Sequence, residues 1–104
     1  NIKEAIKWFK LAGEQGVVKA QFQLGSIYYW GGKIPQDYKE AFKWFDLAAV
    51  QGDADAQLIL GLMYGEGQGV LKSFQEAKKY FQLSAEQGNA DAQIVLDSLQ
   101  RSSQ

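Results

Sequence analysis

The chain has 104 residues, of which 46% are apolar, 22% charged and 13% aromatic, a composition that excludes a disordered or low-complexity segment and supplies one globular domain. Eleven Lys and Arg against twelve Asp and Glu leave a net charge of −1, so no global field draws the molecule onto nucleic acid or anionic lipid, and a partner must be recognised locally. Cysteine and histidine are both absent, which removes disulfides, thiolate chemistry and the commonest general base and metal ligand; no cofactor and no metal are expected.

In chain order, the first predicted helix covers residues 2–15. Ala5, Trp8, Phe9 and Ala12 fall at the i, i+3, i+4, i+7 spacing of a buried helical face. Asn1 with Glu4 reads as a capping box, and Gly16 as the left-handed residue after the helix end. A second helix, 18–30, carries Ala20, Leu24, Gly25 and Tyr28, small residues for close helix approach and a tyrosine to fill the resulting step. Gly31-Gly32-Lys33-Ile34-Pro35 breaks it. Asp37 with Glu40 then opens a third helix, 38–51, whose Ala41, Trp44, Phe45 and Ala48 repeat the first pattern. Trp8 and Trp44 are both expected in the core. Gly52 ends this helix and Asp53 caps a fourth, 54–64, with Ala56, Leu60, Gly61 and Tyr64 before the break Gly65-Glu66-Gly67-Gln68-Gly69. Ser73 with Glu76 opens a fifth helix, 74–87; Gly88 closes it and Asn89 caps a sixth running from 90 to about 100.

These elements are copies of one unit. Glu4-Ala5 returns as Glu40-Ala41 and Glu76-Ala77, each 36 residues after the last, and the same step relates Trp8-Phe9 to Trp44-Phe45 and Tyr80-Phe81. It also relates Gln15-Gly16 to Gln51-Gly52 and Gln87-Gly88, and Ala20-Gln21 to Ala56-Gln57 and Ala92-Gln93. A helix pair that recurs at this period buries its apolar face on the next pair, so the fold class is all-α, an α-solenoid of antiparallel helix pairs.

The stretch Ala56-Gln57, Leu60-Gly61, Met63-Tyr64, Gly67, Gly69-Val70, Ala77, Tyr80, Ala85 and Gln87-Gly88 resembles the Sel1-like repeat family, relatives of the tetratricopeptide repeat. The resemblance covers essentially the whole chain, as full repeats at 17–52 and 53–88 with half repeats at 1–16 and 89–104, and it implies a right-handed superhelix. The first repeat departs from the pattern at Lys33-Ile34-Pro35, where the second has Gly69-Val70-Leu71, so a different loop path is expected. In the last half repeat Asp97 replaces the glycine of Gly25 and Gly61, and Gln100 the tyrosine of Tyr28 and Tyr64, which reads as a polar cap. Asn1-Ile2-Lys3-Glu4 is neither an initiator methionine nor a signal peptide, which reads as processing or trimming ahead of the first helix.

The resemblance implies a scaffold or adaptor that binds a protein or peptide, in bacterial signalling, envelope or host-interaction roles, and implies no reaction. By analogy with tetratricopeptide repeats, the first helix of each pair lines the concave face. That places Lys19, Phe22, Ser26, Tyr29 and Trp30 there from the first repeat, Asp55, Leu58, Leu62 and Glu66 from the second, and Asp91, Ile94 and Ser98 from the third. Tyr29-Trp30 against Gly65-Glu66 is the largest difference between copies, which marks the aromatic pair as anchors; the competing reading packs them on Ile34 or Pro35. Phe22, Leu58 and Ile94 are apolar in every copy, which favours packing. Gly65-Glu66-Gly67-Gln68-Gly69 lacks the spacing of a phosphate loop, and Asp53 and Asp55 suit a helix start better than a cation.

Nucleic acid is not expected as a partner, since a groove for phosphates calls for basic charge. Neither is membrane insertion, because no run approaches the roughly 20 apolar residues a bilayer requires. Self-association through the open Trp8/Phe9 face of the first helix is a further expectation. The rival functions are a structural spacer within a longer solenoid and, from cysteine-rich bacterial relatives, β-lactam binding or hydrolysis. The compartment stays open between bacterial periplasm or secretion and cytoplasm.

Overall fold

In the computed structural model, which describes residues 1–102, six helices follow one another: α1 (Ile2–Glu14), α2 (Val18–Trp30), α3 (Tyr38–Val50), α4 (Ala54–Glu66), α5 (Phe74–Glu86) and α6 (Ala90–Ser102). Each packs on the next, and the resulting stack measures 49 × 25 × 19 Å.

The sequence signals act at the helix ends largely as the chemistry requires. The side chains of Asn1, Asp37 and Ser73 accept hydrogen bonds from the backbone N–H of Glu4, Glu40 and Glu76. The return half of the capping box is not what occupies the N-cap amides. Asp37 N–H donates instead to Tyr28 O at 2.8 Å and Ser73 N–H to Tyr64 O at 3.0 Å. Glu40 and Glu76 are thereby released to pair with Lys43 and Lys79.

Every short connection is a Schellman turn. Gly16, Gly52 and Gly88 take φ of +92°, +97° and +90°, and the following residue donates back to Ala12, Ala48 or Ser84. Helix α4 runs two residues beyond the predicted end, because Gly65 and Glu66 stay helical and the stop is the left-handed Gly67. A lone glycine weakens a helix without ending it.

The two long loops do take different paths. Gly69, at φ +75°, lies so close to the Tyr38 carbonyl that a Cβ there would fall 2.6 Å from its oxygen. The first copy carries Lys33 at that register, so it cannot make this approach, and the chain turns on Gly31 and Gly32 instead.

Packing within and between the helix pairs depends on rings set against missing side chains. A Cβ on Gly25 would meet Phe45 at 2.7 Å, and one on Gly61 would meet Phe81 at 2.5 Å. Gly13 likewise makes room for Trp44, whose Cζ3 would lie 2.9 Å from an added Cβ. One register on, the pair is Ala49 and Tyr80, a larger small residue opposite a smaller ring. Trp44 is 2% exposed, in line with expectation, but Trp8 is 62% exposed. The apolar stripe places Trp8 on the side of α1 where a preceding helix pair would lie, and no described helix covers that side.

Buried amides tie the same joints. Gln21 Nε2 donates to Gly13 O and Gln51 Nε2 to Gln21 Oε1. One repeat later Gln57 Nε2 donates to Ala49 O and Gln87 Nε2 to Gln57 Oε1.

The glycine contacts give a direct test. Gly61→Ala forces the Phe81 ring to move and is expected to cost about 1–3 kcal/mol. Gly65→Ala, whose Cβ would approach nothing closer than Ala77 at 3.9 Å, is expected to be neutral or to gain up to about 1 kcal/mol from helix propensity. Urea unfolding of the two variants measures the difference.

Candidate functional site

The residues expected to bind lie along α2, α4 and α6, the first helices of successive pairs. Because residues four apart share a helical face, Phe22, Ser26 and Trp30 form one ridge, and the repeat carries it onto Leu58, Leu62 and Glu66 and onto Ile94 and Ser98.

The structure separates this set into packing and surface. Phe22 stands edge-on to Phe45 with ring centroids 5.4 Å apart, and Leu58 packs against the cluster of Ala77, Phe81 and Leu96. Tyr29 is also drawn inward. Its ring lies 5.3 Å from that of Tyr38, and its hydroxyl donates to Gln68 Oε1 at 2.9 Å. The same amide donates through Nε2 to the Tyr38 hydroxyl at 3.4 Å, and Gln36 Nε2 donates to the Tyr29 carbonyl at 2.7 Å. Tyr29 therefore bridges its own repeat to the loop of the next. Ser26 is partly covered.

Trp30 behaves differently. Its ring meets Tyr29 edge to face at 4.8 Å and is otherwise open, with 71% of the residue exposed. Lys19, Asp55, Glu66, Asp91 and Ser98 are exposed as well, as are Leu62 at 38% and Ile94 at 60%. Among the residues first singled out, Trp30, Leu62 and Ile94 are thus the large apolar groups left exposed.

Asp53 serves the helix start, its Oδ1 accepting from the N–H groups of Asp55 and Ala56. The Asp55 carboxylate accepts from Asn89 Nδ2 at 3.2 Å.

Sequence reasoning missed Gln68 and Tyr38, the two groups that hold Tyr29 in place. The available signal was the difference between copies, since the preceding copies have Gly32 and Ile2 at those registers.

Two cavities lie away from this row. One of about 470 Å³ between α1 and α3 is lined by Gly13, Gln21, Trp44, Leu47 and Val50 among others, and one of about 430 Å³ between α5 and α6 by Phe74, Leu96 and Leu99 among others. Neither includes any of the nine residues first expected to bind from the first two repeats. Trp44 Nε1 is the buried side-chain nitrogen that lacks a hydrogen-bond partner among the described residues, at a typical cost of about 1–3 kcal/mol.

A stack of helix pairs with a constant period defines the class of protein, an α-solenoid of repeats. The Sel1 repeat model matches residues 1–17, 18–53 and 54–89, and the chain belongs to the Sel1 repeat family. Proteins of this family are generally protein–protein interaction scaffolds and typically non-catalytic.

Solved structures are similar over most of the chain. A Sel1 repeat protein from Oxalobacter formigenes has a TM-score of 0.86 at 40% identity, over 89% of this chain and 27% of its own. The protein c5321, a protective antigen present in uropathogenic Escherichia coli strains that displays an SLR fold, has a TM-score of 0.85 at 43% identity, over 89% of this chain and 20% of its own. Helicobacter pylori cysteine rich protein B has a TM-score of 0.85 at 28% identity, over 92% of this chain and 72% of its own. The chain therefore spans about a quarter or less of the first two. No curated protein matches it in sequence.

Burial raises the phenols of Tyr29, Tyr64 and Tyr80 above the ordinary value of 10.0, with neighbouring carboxylates adding to the effect: Glu66 at Tyr29, Glu76 and Asp46 at Tyr64 and Tyr80. Their contribution to stability is complete below pH 10.0. As pH rises past that value the unfolded chain ionises first, and the contribution is lost as the folded values are passed. In a phenolate absorbance titration, Tyr29→Phe is expected to delete a step lying above pH 10.0.

Proposed function

We propose that this chain is a non-catalytic interaction module that takes a peptide or helix of a partner protein on the concave face of the solenoid, lined by α2, α4 and α6. The observation that carries this reading is Trp30. It is a large aromatic, exposed at the end of a helix, and its neighbour Tyr29 is fixed on both sides by Tyr38 and Gln68. A rigid exposed tryptophan buries much area on binding while freezing few rotors. Lys19, Asp55 and Glu66 of the same helix row supply the electrostatic fit, while Phe22, Tyr29 and Leu58 support the surface from below. Proteins with this repeat in bacterial antigens suit an envelope or host-interaction context.

A second reading, a spacer within a longer solenoid, is favoured by one observation: similar structures extend far beyond the matched segment. The two readings separate experimentally. Immobilised parent, Trp30→Ala and Val50→Ala proteins are compared for what they retain from source-cell lysate by mass spectrometry; Val50 is an exposed residue of α3, on the other helix row. A protein kept by the parent and Val50→Ala but lost by Trp30→Ala is the expected result. Equal retention by Trp30→Ala overturns the placement, and a partner held only by a longer natural chain supports the spacer. Nitrocefin is expected to remain unhydrolysed, which tests the non-catalytic assignment.

A further inference from the structure

Three aromatic rings bridge the middle of the stack, apart from the ridge that carries Trp30. Tyr64 of α4 reaches between α3 and α5: its ring meets Phe42 edge to face at 5.6 Å and stacks on Tyr80 at 5.7 Å, with 7° between the planes. All three are half-buried, so part of the bridge faces solvent. Neither the Tyr64 nor the Tyr80 hydroxyl has a hydrogen-bond partner among the described residues, and neither is enclosed.

A carboxylate stands on each side of the bridge. Asp46 lies one turn beyond Phe42 on α3 and Glu76 one turn before Tyr80 on α5, and residues four apart share a helical face. Burial raises the Tyr64 and Tyr80 phenols and both carboxylates add to the effect, an action of charge that reaches only to near neighbours. Glu76 already has a cation, since Lys79 Nζ lies 3.8 Å from its carboxylate and 5.4 Å from the centre of the Tyr80 ring. Asp46, half-buried, has no ion pair and no hydrogen bond among the described residues. The α5 side thus joins ring, carboxylate and cation, while the α3 side has ring and carboxylate only.

Packing alone does not account for Asp46. Tyr64 and Tyr80 correspond to Tyr28 and Trp44 one repeat earlier, as parts of the stack do. Phe42 and Asp46 correspond to Ile6 and Lys10 in that repeat and to Lys78 and Gln82 in the next. An unpaired acid beside three rings therefore belongs to the middle joint alone. Described helices lie on both sides of this joint, so its open face is not a chain end.

The geometry points to a seat for the guanidinium of an arginine side chain on a partner protein, laid against the tyrosine rings and held by Asp46. A guanidinium carries a planar fork of N–H donors that can pair with a carboxylate and reach the phenol oxygens, and its flat face stacks on a ring. A lysine ammonium is a compact, strongly hydrated charge without such a face. A metal ion is poorly served, because the described residues bring no three acidic or histidine side chains together. The seat uses none of the ridge side chains, so it adds a second contact to the module without resting on Trp30.

The test uses the synthetic peptide acetyl-Gly-Arg-Gly-amide and its lysine and citrulline counterparts, citrulline matching arginine in shape without its charge. Proton–nitrogen NMR spectra of the whole chain follow each titration, and circular dichroism checks that variants keep their helices. Saturable shifts centred on Asp46, Tyr64 and Tyr80 are expected with the arginine peptide, about threefold weaker binding with the lysine peptide and no saturation with citrulline. Asp46→Asn is expected to weaken the arginine peptide about fivefold or more and Tyr64→Phe about twofold. Glu86→Gln, which removes an exposed carboxylate elsewhere on α5, is expected to leave binding unchanged.

Binding that Asp46→Asn leaves intact, or that Glu86→Gln weakens as much, overturns the seat in favour of the general charge of the chain. Equal affinity for the lysine peptide overturns the choice of guanidinium, and saturation by citrulline overturns the ion pair. Shifts centred on other residues, or no saturable shift at all, overturn the proposal outright. The retention experiment with Trp30→Ala judges the ridge separately.

Discussion

The close approach of an aromatic ring to a glycine is the contact on which this solenoid depends. Phe45 lies over Gly25 and Phe81 over Gly61 at separations that no Cβ would permit. Each contact joins the first helix of a pair to the second, and Trp44 against Gly13 adds one between second helices of successive pairs. Dispersion forces fall steeply with distance, so such an approach converts two short helices into a joint with little slack. Thirteen-residue helices are marginal alone, and it is this packing that makes them persist.

The polar groups follow from the same constraint. Drawing helices this close buries their turns, and a buried carbonyl must find a donor. Gln21 and Gln57 provide it, reaching back to Gly13 O and Ala49 O, and Gln51 and Gln87 then satisfy the first two amides. The glutamines that recur with the period are therefore part of the joint.

Helix positions were legible in the sequence because their causes are local. An N-cap side chain lies three residues from the amide whose hydrogen bond it accepts, and a Schellman glycine sits one turn from the carbonyls it helps to satisfy. What was not legible depends on residues far apart. The N-cap amides of Asp37 and Ser73 bond to tyrosine carbonyls across a loop, and that choice, not the capping glutamate, closes the turn. The Tyr29 hydroxyl is held by Gln68, a residue of the next repeat's loop, so its own copy, which offered Ile34 or Pro35 as packing partners, did not show this contact. Trp8 and Trp44 share a pattern but not an environment, because burial belongs to the neighbour as much as to the residue. Of the candidate site, the ridge could be read from spacing alone, while the division between supporting and available residues could not.

That division links stability to the proposed recognition. Tyr29 and Trp30 are adjacent in sequence, yet one turns into the inter-repeat contact and the other out to solvent. The loop that seats Tyr29 can reach it only because Gly69 allows the backbone to lie against Tyr38. A surface tryptophan ordinarily samples several rotamers and loses them on binding. Here the edge-to-face contact with an immobilised tyrosine restricts Trp30 beforehand, so part of that entropic loss is already met by folding. The surface proposed for interaction is thus ordered by the stacking of the second repeat on the first, and a change that loosened the Gly69 turn would reach Trp30 without touching it.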